Sequence, residues 1–159
     1  MTNFFSIQTI TTMQMWLFGF FKIPLIFFCR PRVINISNET LEIKIKLNRK
    51  TRNHLNSMYF GVLSIGADLT GGFLAMQHIQ NKKSKITLIF KDFHADFLKR
   101  AEGDVHFICD EGEKIKKLVD AADSTNERQN LPINIRAIVP KISNDSVANF
   151  ILTLSLKKK

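Results

Sequence analysis

Two kinds of hydrophobic periodicity divide this chain into short strands and one long helix. Between residues 41 and 47, apolar and polar side chains alternate strictly, which places each set on its own face of a strand. This segment predicts a half-buried antiparallel strand with one solvated face. Residues 33–37 form a similar run, and the polar residues 38–40 between the two predict a hairpin.

A nearly uncharged segment at residues 58–79 predicts a long buried helix, because apolar side chains occupy almost every face of it. Ser57 is the predicted N-cap, and such a helix would be about 30 Å long. It contains four glycines, each of which costs about 1 kcal/mol relative to alanine inside a helix. Close approach of a sheet or a second helix would explain them. One stripe at helical spacing holds small or polar side chains: Gly61, Ser64, Asp68, Gly71 and Ala75.

Asp68 is the only acidic residue of this helix and the best candidate for chemistry. A lone carboxylate on a buried helix costs free energy unless it is paired, hydrogen-bonded or used. The alternative is a structural carboxylate that is bonded to Thr70, to Ser64 or to a partner subunit. The residues alone leave both interpretations open.

Four more strands are predicted after the helix, at residues 86–97, 105–109, 133–139 and 148–156. A short charged segment at residues 113–122 has helical character and is expected to be exposed. Consecutive strands joined by short turns favour an antiparallel sheet, and with one helix across it the fold class is two-layer α+β. Such a sheet has open edges, which dimerisation commonly covers.

The first 28 residues contain seven of the 14 phenylalanines. Residues 11–21 predict an amphipathic helix that starts at a threonine cap and is stopped by the Lys-Ile-Pro sequence after it. A signal peptide is not expected, because no basic residue precedes the apolar run. A membrane span is not expected either, since Gln14, Lys22 and Pro24 interrupt a stretch of near-minimum length. We expect the apolar excess to cover the domain or a partner subunit; peripheral membrane contact through residues 4–28 is the alternative.

The composition is that of an ordinary globular protein, and the length of 159 residues predicts one domain, with a lead-in at 1–30 and a core at 31–159. The net charge of +9 suits polyanionic ligands, although solvated basic faces also explain it. Nucleic acid is not expected as a partner, because no binding motif accompanies the charge. Cys29 and Cys109 lack disulfide or metal-ligand spacing and are predicted to be buried thiols in a reducing, cytoplasmic compartment. The histidines also lack metal spacing, so no metal site is predicted.

Several motifs resemble the family catalogued as domain of unknown function 4442, a PaaI-like group within the hot-dog-fold thioesterase superfamily. They are Arg52-Asn53-His54, Met58-Tyr59-Phe60-Gly61, Ala67-Asp68 and Phe97-Leu98-Lys99-Arg100-Ala101-Glu102-Gly103. The resemblance covers roughly residues 24–156. It implies a hot-dog fold, in which about six curved antiparallel strands wrap around one long central helix, here with an additional N-terminal helix.

The resemblance also implies a function, because members of this superfamily hydrolyse acyl thioesters of coenzyme A or acyl carrier protein at sites shared by two subunits. It therefore implies an acyl thioester substrate, no resident cofactor beyond the coenzyme A of the substrate, and a homodimer or dimer of dimers. Carried over to this chain, Asp68 is the nucleophile or general base. The backbone N–H of Gly61 polarises the thioester carbonyl, a role that suits the positive end of a helix.

Four further residues receive roles by the same resemblance. Asn53 or His54 would orient water or substrate, although turn hydrogen bonding also explains an asparagine in a loop. Lys99 and Arg100 could bind the phosphates of coenzyme A, and a solvated strand end is the alternative.

The helix start departs from PaaI-type relatives, which carry His-Gly-Gly where this chain has Tyr59 and Phe60 before a single glycine. Two bulky aromatic side chains there would narrow the approach to the helix end. The alternative function is therefore a non-catalytic protein that binds an acyl chain or lipid.

Overall fold

The computed structural model describes residues 6–159, so Phe4 and the rest of residues 1–5 in the proposed lead-in lie outside the described part. Its helices are α1 (Ile7–Lys22), α2 (Pro24–Cys29), α3 (Phe60–Lys82) and α4 (Gly112–Ser124). Its strands are β1 (Arg32–Ile36), β2 (Leu41–Ile45), β3 (Ile86–Phe97), β4 (Val105–Cys109), β5 (Gln129–Val139) and β6 (Ser143–Lys158). None of the helices within residues 6–159 has the length and apolar character needed to cross a membrane.

All six strands form one curved antiparallel sheet in the order β1-β2-β4-β5-β6-β3, and α3 packs against it. The predicted hairpin of β1 and β2 is confirmed, and Leu41, Ile43 and Ile45 are fully buried. Strict alternation therefore identified the buried face of β2 correctly, since one face of this strand meets the core and the other meets solvent.

Glycines let α3 approach the sheet closely, as the sequence predicted. A Cβ at Gly66 would lie 2.3 Å from the ring of Phe107, a fully buried side chain of β4. A Cβ at Gly71 would lie 2.6 Å from Cδ1 of Ile133 on β5. Real Cβ contacts are longer than either distance, so the two glycines fix how near the helix lies to the strands.

The start of α3 differs from the prediction. The helix begins at Phe60 with Tyr59 as N-cap, and it extends beyond His78 to Lys82. Ser57 is not the cap, because its backbone N–H and hydroxyl are bonded to the side chain of Asn53 in the preceding loop. The cap was misplaced because serine also favours turns, where it bonds to nearby groups.

The position of β3 also differs from the simple order of consecutive neighbours. β3 pairs with β6 alone and lies at the edge of the sheet opposite β1, so the chain crosses from one edge to β4. β6 has 16 residues and pairs with both β3 and β5. Periodicity describes the faces of a strand but not its neighbours, because pairing depends on contacts distant in sequence.

The N-terminal segment forms two helices where one was predicted. α1 begins four residues earlier than expected, with Ser6 Oγ accepting from the backbone N–H of Thr9 at 3.3 Å. Thr11 is not a cap, since its hydroxyl donates to the Ile7 carbonyl within the helix at 2.9 Å. The helix does end at Lys22, but Pro24 then occupies the first turn of α2, a position where proline is favoured.

α4 is helical, as expected, but only one of its faces is exposed. Ile115, Leu118 and Val119 are buried in contact with α3 and the sheet. The many charges of the segment occupy its solvent side, which hid an amphipathic pattern. Both cysteines are unpaired and buried, as predicted, and burial raises the pKa of the Cys109 thiol to about 11.

Candidate active site

A groove of about 480 Å³ runs between α3 and the edge strand β3. α3 contributes Asp68 and Gly72 to its wall, and the first half of β3 closes the opposite side. The end wall comes from α1 and α2, and the apolar side chains that line the groove from these elements are Phe18, Ile23, Ile26, Leu69, Phe73, Met76, Ile86, Leu88 and Phe90. The cavity has the size and apolar character of a small-molecule site.

Asp68 is a half-buried carboxylate in this apolar lining. Burial raises its pKa above the ordinary aspartate value of 3.8, because the charged form loses hydration. It has no hydrogen-bond partner among residues 6–159. The hydroxyl of Ser64 donates to the Phe60 carbonyl at 3.0 Å and that of Thr70 to the Gly66 carbonyl at 2.7 Å, so neither is bonded to Asp68. The carboxylate is therefore free to accept a proton from a bound molecule.

The stripe of small residues around Asp68 is only partly as predicted. Gly71 and Ala75 are buried against the sheet and do not line the groove. Gly72, one turn after Asp68, takes their place, and a Cβ there would lie 3.4 Å from the ring of Phe90. The stripe drifts because a spacing of four residues follows the groove, whereas a spacing of three turns toward the sheet.

The start of α3 presents two free N–H groups. The amides of Val62 and Leu63 both donate to the Tyr59 carbonyl, at 2.9 Å and 3.1 Å. The amides of Phe60 and Gly61 precede them and have no acceptor within the described part of the chain, as expected for the first turn of a helix. A Cβ at residue 61 would lie 2.5 Å from Cε1 of Tyr59, so the tyrosine ring covers the glycine directly.

The loop before α3 uses the side chain of Asn53 for its own structure. Asn53 Oδ1 accepts from the amides of Leu55 at 2.9 Å and Ser57 at 3.2 Å, and its Nδ2 donates to Ser57 Oγ at 3.1 Å. This is the turn chemistry that the sequence left as the alternative. His54 is exposed in the same loop.

Lys99 and Arg100 lie just beyond the end of β3, and both are exposed. Lys99 Nζ pairs with Asp145 Oδ2 at 2.9 Å. The guanidinium of Arg100 pairs with Glu102 at 3.2 Å and donates to the Leu55 carbonyl at 2.5 Å. The strand end and the Asn53 loop are thus held together beside the start of α3.

The structure does not bring Asp68 and Gly61 to one point within a single chain. They are seven residues apart on α3, which corresponds to about 10 Å along the helix axis. Exposed aromatic rings lie beside the helix start: Phe60 is 6.2 Å from Phe97 of β3, between ring centroids. Sequence reasoning did not identify the groove wall of β3, although its alternating apolar residues carried that information.

Comparison with protein families finds the model described as "Domain of unknown function (DUF4442)", which matches residues 12–154. No curated protein sequence matches the chain at a significant level. Among solved structures, a protein of unknown function from Chlorobaculum tepidum TLS has a TM-score of 0.82 at 11% identity and covers 96% of this chain and 97% of its own.

Two other similar structures have descriptions that mention an activity. A Pseudomonas aeruginosa protein described as a "probable thioesterase" has a TM-score of 0.77 at 19% identity and covers 93% of this chain and 96% of its own. A thioesterase from Haemophilus influenzae has a TM-score of 0.62 at 14% identity and covers 84% of this chain and 82% of its own. At these identities the similarity establishes the fold. The chain belongs to the DUF4442 family, and its curved six-stranded sheet around a long central helix is a hot-dog fold.

Proposed function

We propose that this protein is an acyl thioester hydrolase in which Asp68 acts as the general base. The observation that carries the proposal is the position of Asp68: an unbonded carboxylate with a raised pKa in an apolar groove large enough for part of an acyl chain. A base of raised pKa is better suited to accept a proton from water near neutral pH.

In the proposed reaction, the Asp68 carboxylate takes a proton from water while the water oxygen bonds to the thioester carbonyl carbon. The carbonyl oxygen becomes an oxyanion, which accepts hydrogen bonds from the free amides at the start of α3, Gly61 foremost. The carbon–sulfur bond then breaks, the carbonyl re-forms, and the thiolate receives the proton held by Asp68. The products are a carboxylic acid and the free thiol of the carrier.

The site is proposed to be completed by a second copy of the chain. The separation of Asp68 from Gly61 exceeds the reach of one carbonyl group, so a base and an oxyanion donor for the same substrate would come from different subunits. β3 offers the means, since it is a 12-residue edge strand with one side unpaired and with exposed Phe93 and Phe97. Antiparallel pairing of two β3 strands would give a symmetric dimer, and dimers of dimers build on the same unit.

The carrier portion of the substrate is proposed to lie near the end of β3. Lys99 and Arg100 are exposed there, and their ion pairs with Asp145 and Glu102 are on the surface, where such pairs exchange readily. A phosphate-bearing carrier would compete for these cations.

The test is hydrolysis of a panel of acyl-coenzyme A esters by wild-type protein and by Asp68→Asn. We expect turnover by the wild type and a loss of about 10²–10⁴-fold in kcat for the variant, the range for a general base. Asp110→Asn is the matched control, because Asp110 is an exposed carboxylate away from the groove. Full activity of Asp68→Asn would exclude the proposed role.

A second candidate function is acyl-chain binding without catalysis. The observation that favours it is the Tyr59 ring, which lies against Gly61 and restricts access to the amide. Fatty acid that copurifies with the protein, together with no turnover of any ester in the panel, would support this alternative. Tyr59→Ala would then be expected to open the helix start without creating the aspartate-dependent hydrolysis.

A further inference from the structure

The helical hairpin formed by α1 and α2 (residues 7–29) has an outward face that the domain does not cover. Eight of the 18 exposed large apolar side chains of the described residues belong to it. They are Ile7, Met13, Leu17, Phe20, Phe21, Ile23, Leu25 and Phe28, with Phe21 exposed to 71% and Leu25 to 63%. Contiguous exposed apolar surface of this kind marks an interaction site in a soluble protein.

α1 is apolar on two opposite faces. Met15 and Gly19 face the domain and are buried, whereas Leu17 and Phe21 are on the outward side at a spacing of four residues. The inner face needs no further partner. The outward face therefore requires a separate explanation.

The hairpin is anchored to the body of the protein and cannot simply turn its outward face inside. Trp16 Nε1 donates to the Pro31 carbonyl at 2.6 Å, and the Val33 amide donates to Thr12 Oγ1 at 3.0 Å. A Cβ at Gly19 would lie 2.7 Å from the backbone nitrogen of Phe27, so α1 and α2 also pack tightly on each other.

Basic side chains surround this face, and acidic ones are missing from the sequence before Glu39. Lys22 and Arg30 belong to the hairpin or its end, and the Arg30 guanidinium lies 4.0 Å from the centre of the Phe27 ring. Lys50 Nζ reaches to 5.3 Å from the centre of the Phe28 ring. Cations thus border the apolar surface closely.

We propose that the outward face of the α1–α2 hairpin docks on an anionic lipid bilayer surface. Exposed phenylalanines bordered by lysine and arginine fit an interfacial helix, whose apolar side chains enter the headgroup boundary while its cations meet anionic lipids. A second copy of the chain fits less well, because it would bring two basic faces together in a protein that already has a net charge of +9. The docking is independent of thioester hydrolysis, although Phe18, Ile23 and Ile26 of the same hairpin also line the Asp68 groove.

The test is cosedimentation of the full chain with vesicles of phosphatidylcholine alone and of phosphatidylcholine with about one third phosphatidylglycerol. We expect at least about ten-fold tighter binding to the anionic vesicles, weakened by salt, since each basic side chain near such a surface contributes roughly five-fold. Trp16 is the only tryptophan, so its emission should also shift on docking.

Two variants separate the apolar and the charged contributions. Phe20→Ser with Phe21→Ser should lose about ten-fold or more in affinity at an unchanged melting temperature, because both rings are exposed. Lys22→Glu with Lys50→Glu should abolish the preference for anionic lipid. Lys141→Glu with Ile142→Ser, an exposed cation and apolar residue at the β5–β6 turn, is the matched control and should bind as the wild type does.

Equal affinity for neutral and anionic vesicles, or unaltered binding by the Phe20 and Phe21 variant, would overturn the proposal. So would self-association without lipid that the same variant removes, because the hairpin would then be covered by another copy. Loss of binding in the control would assign the effect to overall charge and would overturn it too.

Discussion

Asp68 costs the folded protein stability at neutral pH. Its pKa is raised by burial, so the folded state holds its proton more tightly than the unfolded state does. Between the unfolded value of 3.8 and the higher folded value, stability falls as pH rises, and above that window the full cost of the buried charge is present. A group that lowers stability in a groove is what a functional residue predicts.

The replacement Asp68→Asn should therefore raise the melting temperature at pH 7 to 8. A gain of about 1 kcal/mol corresponds to roughly 2–4 °C for a domain of this size. The difference should shrink as the pH approaches 3.8, where the wild-type carboxyl is neutral in both states. Calorimetry of both proteins across this range measures the effect. A lower melting temperature of the variant at neutral pH would show instead that the carboxylate is stabilised by a partner.

The pH dependence of hydrolysis should report the same group. Asp68 acts as a base only when ionised, so kcat/KM should fall on the acidic side, with a midpoint above the ordinary aspartate value of 3.8. The residual activity of Asp68→Asn should lack that limb. An acidic limb that is unchanged in the variant would assign the titration to another residue.

The residue scale also shows how far the sequence could identify the site. Asp68 was identifiable because it is the only acidic residue in a long apolar segment, and the groove contains it. Its neighbour Gly72 was not, because the direction of the groove depends on where β3 lies. The roles of Asn53, His54, Lys99 and Arg100 remain predictions, and the hydrogen bonds of Asn53 support turn chemistry for that side chain.

At the scale of the element, α3 combines a sheet-facing side with a groove-facing side, and its glycines differ accordingly. Gly66→Ala would place a methyl group 2.3 Å from the fully buried ring of Phe107, whereas Gly72→Ala would meet Phe90 at an ordinary 3.4 Å. We expect Gly66→Ala to destabilise by about 1–3 kcal/mol through overpacking. Gly72→Ala should be neutral or stabilising by up to about 1 kcal/mol through helix propensity. Denaturant unfolding of the pair measures this contrast. Equal effects would mean that α3 does not pack as described.

Elements whose information is local were predicted well. The β1–β2 hairpin and the existence of α3 and α4 followed from turn residues and periodicity, and all are confirmed. The edge position of β3 was not predicted, because the choice of β6 as its partner depends on the whole sheet. α2 was missed because Pro24 both ends one helix and begins the next.

At the scale of the whole molecule, β3 and the α1–α2 hairpin are two distinct uncovered surfaces. The open edge of β3 offers unpaired backbone groups, which suit a second strand. The hairpin offers side chains on the outside of helices, which suit a lipid surface. A dimer joined through β3 would leave both hairpins available.

Light scattering on the purified protein should therefore give twice the mass of the chain, 18.3 kDa, or a multiple of that dimer. Phe93→Lys with Phe97→Lys places like charges on both copies of the edge and should shift the protein toward monomer. The Phe20 and Phe21 variant serves as a control and should keep the wild-type mass. A wild-type monomer at concentrations where hydrolysis is measured would contradict the shared site.

The shared site makes a sharper demand, since two inactive variants should restore each other. Asp68→Asn removes the base, and Gly61→Pro removes the amide donor in the first helical turn, where proline is tolerated. In a mixed dimer, the intact Asp68 of one subunit would face the intact Gly61 of the other at one of the two sites. Co-refolding equal amounts should therefore recover about one quarter of wild-type activity, because half of the dimers are mixed and each has one good site. Gly61→Ala keeps the amide while adding a similar Cβ beside Tyr59, so it should retain far more activity than the proline variant. If the mixture stays as inactive as its components while light scattering shows exchanged dimers, base and donor act within one chain and the shared arrangement is wrong.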